Sequence, residues 1–205
     1  MKPFFSALIL TISLGLSLPA TAASVPLPRP ETWAVPLALP GVSNLYRVSD
    51  NVYRSQQPTP EGLGLLHARL GIRTVINLRM FHDDAELATP PGLRLLRVPV
   101  NTWQIEDIDV VRVLRILRRR ENGPFLIHCL HGADRTGVMS AMYRIVEQGW
   151  TREQALRELQ EGGYGFHPVW FNIVRYLEHV DIGRIRAQVD SPEPPVMPDP
   201  VFPES

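Results

Sequence analysis

The chain has 205 residues, 44% of them hydrophobic and 20% charged, with a formal net charge of +0 and a single cysteine. That length suits one globular domain with tails. The balanced charge gives no global field to gather nucleic acid or an anionic membrane, and one cysteine excludes an internal disulfide.

Residues 1–22 read as a signal peptide: Lys2 supplies the positive start, Phe4 to Leu18 the apolar run, and Ala20-Thr21-Ala22 a small-x-small cleavage pattern. The run is short for a spanning helix and the flank after it is not basic. Export to the periplasm is therefore expected, with no stable membrane association after cleavage. Residues 23–41 form a proline-rich lead-in and 190–205 a proline-rich tail of little order. One domain is left over 42–189.

Within it, "NLYRVSDNVYRSQQP" reads as two short strands around the turn Ser49-Asp50-Asn51. Thr59 caps a helix that starts at Pro60 and stops before Gly71. "GIRTVINLR" follows as a buried strand, Asp83 to Pro91 as irregular chain, and "LRLLRVPV" as another strand. Ile108 to Arg120 has helical apolar spacing, and Gly123-Pro124 breaks it. Phe125 to His128 is a third strand, and Thr136 to Gln148 a helix closed by Gly149. Thr151 and Gln154 form a capping box for a helix ending near Gly162-Gly163, and Val169 to Val180 is the last helix. Strands alternating with helices imply an α/β fold: a single domain whose central, mainly parallel sheet is flanked by helices on both faces.

The chemistry concentrates in "FLIHCLHGADRTG". Cys129 ends a strand and Arg135 opens a helix, with Leu130, His131, Gly132, Ala133 and Asp134 between. A strand–loop–helix of this kind makes an anion cradle. Its backbone N–H groups point inward, and the helix aims its positive end at the same spot. Gly132 and Gly137 permit backbone angles that a side chain resists, and Arg135 forks onto two phosphate oxygens. Helix N-termini and cations lower a thiol pKa, and His128 and the Thr136 hydroxyl extend the hydrogen-bond network around the sulfur. A thiolate facing a bound phosphate is the requirement for covalent phosphoryl transfer. No metal or cofactor is called for, because the loop itself neutralises the oxygens. His128, Cys129 and His131 stand too close together for the usual zinc spacing. Gly132 to Gly137 has nucleotide-loop glycine spacing, but Val138 and Met139 replace the required Lys and Ser/Thr.

"HCLHGADRTG" resembles the Cys-x5-Arg signature of cysteine-based protein tyrosine and dual-specificity phosphatases. "NVYRSQQP", "LGIRTVINLR", "MSAMYRIVEQGW" and "EGGYGFHPVW" extend the resemblance over most of Asn44 to Ile182, toward bacterial exported tyrosine phosphatases. The resemblance implies a phosphocysteine intermediate on Cys129, phosphate held by Arg135, and a Thr136 hydroxyl that assists release. It also implies an aspartic acid before the preceding helix as general acid. In "VPVNTWQIEDIDVV" Trp103 stands near that place; Glu106, Asp107 and Asp109 are the nearby acids, with Asp107 the choice here. Asp107 also suits the N-cap of a helix starting at Ile108 and Asp109 its first turn; Asp134, within the cradle, is another candidate acid, or orients Arg135 by an ion pair. Arg79, Arg54 and Trp103 are candidate substrate contacts, while Phe166 and His167 read as structural. The implied substrate is phosphotyrosine, with phosphoserine or phosphothreonine, in a phosphorylated protein. Inositol phosphates or another small-molecule phosphate are the alternative. A phosphate-binding module without turnover and a rhodanese-like sulfur carrier are readings of different classes.

Overall fold

A computed structural model describes residues 29–192 apart from 85, 86 and 88. The expected signal peptide and the tail beyond residue 192 lie outside the described residues. The strands are β1 (Val35–Pro36), β2 (Tyr46–Arg47), β3 (Val52–Ser55), β4 (Thr74–Asn77), β5 (Arg94–Arg97) and β6 (Phe125–His128). The helices are α1 (Pro60–Leu70), α2 (Asp107–Arg118), α3 (Arg135–Glu147), α4 (Arg152–Glu161), α5 (Phe171–His179) and α6 (Ile182–Asp190).

The sheet order is β1-β2-β3-β6-β4-β5. β3, β6, β4 and β5 run parallel, while β1 and β2 add an antiparallel edge. Successive strand residues alternate between two cores, as the pleat requires. Val52, Ile76 and Ile127 face the core shared with α2 to α6, whereas Tyr53, Val75 and Leu126 face the core closed by Leu63 and Leu66 of α1. Helices therefore cover both faces of a mainly parallel sheet, as the alternation implied.

Local chemistry sets the helix ends. Thr59 accepts from the Gly62 N–H, and Gly71 closes α1 at φ 66. Thr151 and Gln154 form a reciprocal capping box on α4. Three expectations change. The lead-in is part of the fold from residue 29: Ala34 is buried, its N–H donates to Glu158 Oε1 at 2.7 Å, and β1 pairs with β2. Helix α2 begins at Asp107, with Glu106 at the cap position and no side-chain capping bond. A further helix, α6, follows α5, started by Asp181 accepting from the Arg184 N–H and anchored by buried Ile185 and Val189.

Candidate active site

Parallel strands deliver their C-terminal ends to one edge, where ligand sites of open α/β sheets form. Cys129 follows β6 there with 2% exposure, and Arg135 opens α3 after five intervening residues. The loop between them is pinned from outside. The Leu130 carbonyl accepts from the Gln57 N–H at 3.3 Å, the His131 carbonyl from Asn44 Nδ2 at 2.9 Å, and the Gly132 carbonyl from Arg54 Nη2 at 2.7 Å. In a planar trans peptide the N–H points opposite the C=O. Three carbonyls held outward therefore turn the amides of His131, Gly132 and Ala133 inward, toward the cradle.

Gly132 sits at φ 71, and a Cβ there would meet Ser55 O and Gln56 N at 2.5 Å. Only glycine allows both the angle and the approach. Gly137 has a different role from the one expected: it lies in regular helix, and its missing Cβ admits Leu159 Cδ1, 2.4 Å from where that carbon would stand.

His128 does not reach the sulfur as expected. Its Nε2 faces Asp84 Oδ2 at 2.7 Å and its Nδ1 faces the Cys129 carbonyl at 3.4 Å, so both nitrogens are taken. Burial pushes the Asp84 carboxyl up, but the His128 and Gln57 bonds outweigh it and hold its pKa below the ordinary value. The Thr136 hydroxyl is fully buried and has no hydrogen-bond partner among the described residues. A hydroxyl so placed is free to donate to a bound group or to water. Asp134 accepts from the His167 backbone N–H at 3.0 Å and pairs with His167 Nδ1 at 2.9 Å; Arg135 is not its partner. The exposed His131 stands edge-on to His167, 5.7 Å between centroids.

Beside the loop lies a cleft of about 420 Å³, walled by Arg135, Leu130, Arg79, Phe81 and Trp103. Phe81 is 97% exposed and Trp103 75%, the latter packed edge-on against Trp170 at 4.6 Å. A larger groove of about 710 Å³, between α4 and α5, takes in none of the loop residues.

None of the described residues lining the cleft is acidic. Asp107 is turned to the helices instead: its carboxylate accepts from Tyr176 Oη at 2.9 Å and pairs with Arg184. Held there by Tyr176 and Arg184 and absent from the cleft wall, Asp107 is an anchor for α2. Asp109 is buried beside Arg112; burial, more than that cation can offset, pushes its pKa up to about 6. It too is absent from the cleft wall.

The residues missed from the sequence are Asn44 and Gln57. Arg54 stood there as a substrate contact, but it is buried under the loop, its guanidinium stacked 3.7 Å from the centre of the Tyr164 ring. Burial lowers its pKa, and the Glu158 carboxylate opposes that shift. Asn44 reaches the loop from φ 55, a left-handed position that asparagine tolerates.

A family model described as "DSP-PTPase phosphatase fused to NAD+ Kinase" matches residues 43–167. The chain is 38% identical over 183 residues to the dual specificity protein phosphatase TpbA of Pseudomonas aeruginosa, across 87% of this chain and 82% of that protein. The crystal structure of a Cys-to-Ser TpbA variant in complex with phosphotyrosine has a TM-score of 0.70 at 36% identity, covering 80% of this chain and all of that one (100%). The inositol diphosphatase DSP5 of Arabidopsis thaliana is 28% identical over 162 residues, 70% of this chain and 72% of that protein.

Proposed function

This chain belongs to the DSP-PTPase family of cysteine-based phosphatases, and from that premise we propose that it hydrolyses phosphotyrosine in proteins through a phosphocysteine intermediate on Cys129. The observation that carries the reading is the pinned loop: a cysteine at its start, an arginine at its end, and inward-facing amides between.

In the first step the Cys129 thiolate attacks phosphorus in line. An S–P bond forms while the P–O bond to tyrosine breaks, and the electron pair leaves with the phenolic oxygen. Loop amides and Arg135 hold the three non-bridging oxygens, whose charge is greatest at the transition state. In the second step water attacks phosphorus, the S–P bond breaks, and the thiolate returns with the Thr136 hydroxyl donating to it. None of the described residues lining the cleft offers a proton, which favours a leaving oxygen able to carry its own charge. A phenol, pKa about 10, does so far better than an aliphatic alcohol, so phosphotyrosine ranks above phosphoserine and phosphothreonine.

Inositol phosphates are a second reading, favoured by the two arginines in one cleft and by the similarity to an inositol diphosphatase. Location in the periplasm rests on the pattern of residues 1–22. The test is phosphate release from a phosphotyrosine peptide by the mature protein. Cys129→Ser is expected to lose at least about a thousandfold in kcat, with wild-type turnover unchanged by chelator. A slow substrate is expected to leave a phosphoryl group on Cys129 by mass spectrometry. Full activity in Cys129→Ser overturns the mechanism.

A further inference from the structure

Two guanidinium groups face the cleft, and only Arg135 belongs to the phosphate loop. Arg79 comes from the turn after β4. Its backbone N–H donates to Asn77 Oδ1 at 2.8 Å, and the same Asn77 side chain donates to the His82 carbonyl at 3.0 Å, bracing the turn. Its Nη1 donates to Gln57 Oε1 at 3.2 Å. Gln57 is itself fixed: Nε2 donates to Asp84 Oδ1 at 2.8 Å, and its backbone N–H holds the Leu130 carbonyl at the start of the loop. Asp84 in turn bonds His128, the neighbour of the nucleophile. Arg79 is thus tied to the catalytic loop by an unbroken chain of hydrogen bonds. Arg135 lies close by, its Nη1 3.5 Å from the carbonyl of Leu78, the residue before Arg79.

The charge count is the second observation. Among the described residues neither arginine forms an ion pair, and none of those lining the cleft is acidic. Arg135 and the loop amides serve the transferring phosphoryl group. Arg79 is a further fixed cation at the wall, held in one orientation before substrate arrives, and such pre-ordering favours a defined anionic contact. Beyond it, beside Asn101 and Thr102, the wall carries Met80, Phe81 and Trp103, which suit an aryl ring better than a highly phosphorylated ring.

We propose that Arg79 is a second anion-binding residue, which selects phosphotyrosine segments carrying an aspartate or glutamate beside the tyrosine. The proposal rests on the phosphotyrosine reading above and adds a specificity determinant to it.

The experiment compares kcat/KM for paired phosphotyrosine peptides that differ only in Glu or Gln at the flanking positions, with an inositol bisphosphate as a third substrate. Wild type is expected to favour the acidic peptide about tenfold, the scale of one charge-assisted contact. The ratio is expected to shrink as salt rises from about 0.05 to about 0.5 M. In Arg79→Met it should fall to near one, with Arg79→Lys between, because lysine keeps the charge and loses the fork. Equal rates on both peptides in wild type overturn the subsite and leave the phosphotyrosine reading standing. An unchanged ratio in a folded Arg79→Met overturns it equally. If that variant fails to fold, Arg79→Lys and the salt series on wild type decide. Hydrolysis of the inositol bisphosphate with neither peptide accepted overturns the phosphotyrosine reading and this proposal together.

Discussion

The Gly132 carbonyl faces a guanidinium that is almost wholly out of water. Arg54 is 2% exposed, and its fork both supports the loop and lies on Tyr164. Removing it in Arg54→Met leaves the carbonyl unheld and the amide beyond it free to turn. A fall in kcat/KM of about ten- to a hundredfold is expected in steady-state assays. Arg54→Lys should recover little of it, since an ammonium has no planar face for the ring. Asp109 gives a prediction of opposite sign. Its folded pKa, about 6, lies above the ordinary 3.8. The stabilisation tied to its proton is therefore complete below about 3.8 and is lost as pH rises through about 6. Two pKa units put the ceiling near 3 kcal/mol. Asp109→Asn is expected to stabilise by about 1–2 kcal/mol at pH 7.5, with the gain vanishing below pH ~4, in urea melts at both pH values. Cys129 and Arg135 were legible because they sit six positions apart in one contiguous motif. Arg54 and Asn44 reach the same loop from 78 and 87 positions away, and no local pattern records a contact of that span.

Elements follow the same division. Strand β6 matches its expected limits because Gly123-Pro124 ends what precedes it and every one of its residues is buried. Helices α1 and α4 carry their caps in their own sequence. The start of α2 was misplaced because the Asp107 carboxylate turns to Tyr176 and Arg184, partners on α5 and α6, and not back to its own helix. Helix α6 is nine residues long with Gly183 in its first turn, too short for periodicity to stand out. Yet Asp181 and the spacing of Ile182, Ile185 and Val189 were a readable signal. The two site glycines test how α3 is seated. In Gly137→Ala the intruding methyl meets the end of the Leu159 side chain, which can shift, so a loss of about 1–3 kcal/mol is expected with the folded enzyme still active. In Gly132→Ala the methyl meets backbone on β3 and the angle is unfavourable as well. Turnover should drop steeply there, and the contrast is read by pairing thermal melts with kcat.

At the scale of the molecule, one buried carboxylate joins segments far apart in the chain. Glu158 on α4 accepts from the Ala34 N–H, from Tyr164 Oη and from Arg144 on α3. Burial raises its pKa, but these bonds outweigh burial and hold it below the ordinary value. Its contribution is therefore present above about pH 4.5 and is lost as pH falls through the lower folded value. Glu158→Gln strands the Arg144 charge in the core, and a loss of about 3–5 kcal/mol at neutral pH is expected in denaturant unfolding. The lead-in read as a linker because its prolines resemble one; its tie to α4 spans 124 positions. The three carbonyl pins on the catalytic loop have a consequence of their own. None of them involves the tyrosine half of a substrate, so the cradle is shaped equally well for orthophosphate. The enzyme's own product is therefore expected to compete for the seat it has just left, with turnover slowing as inorganic phosphate is added to the assay.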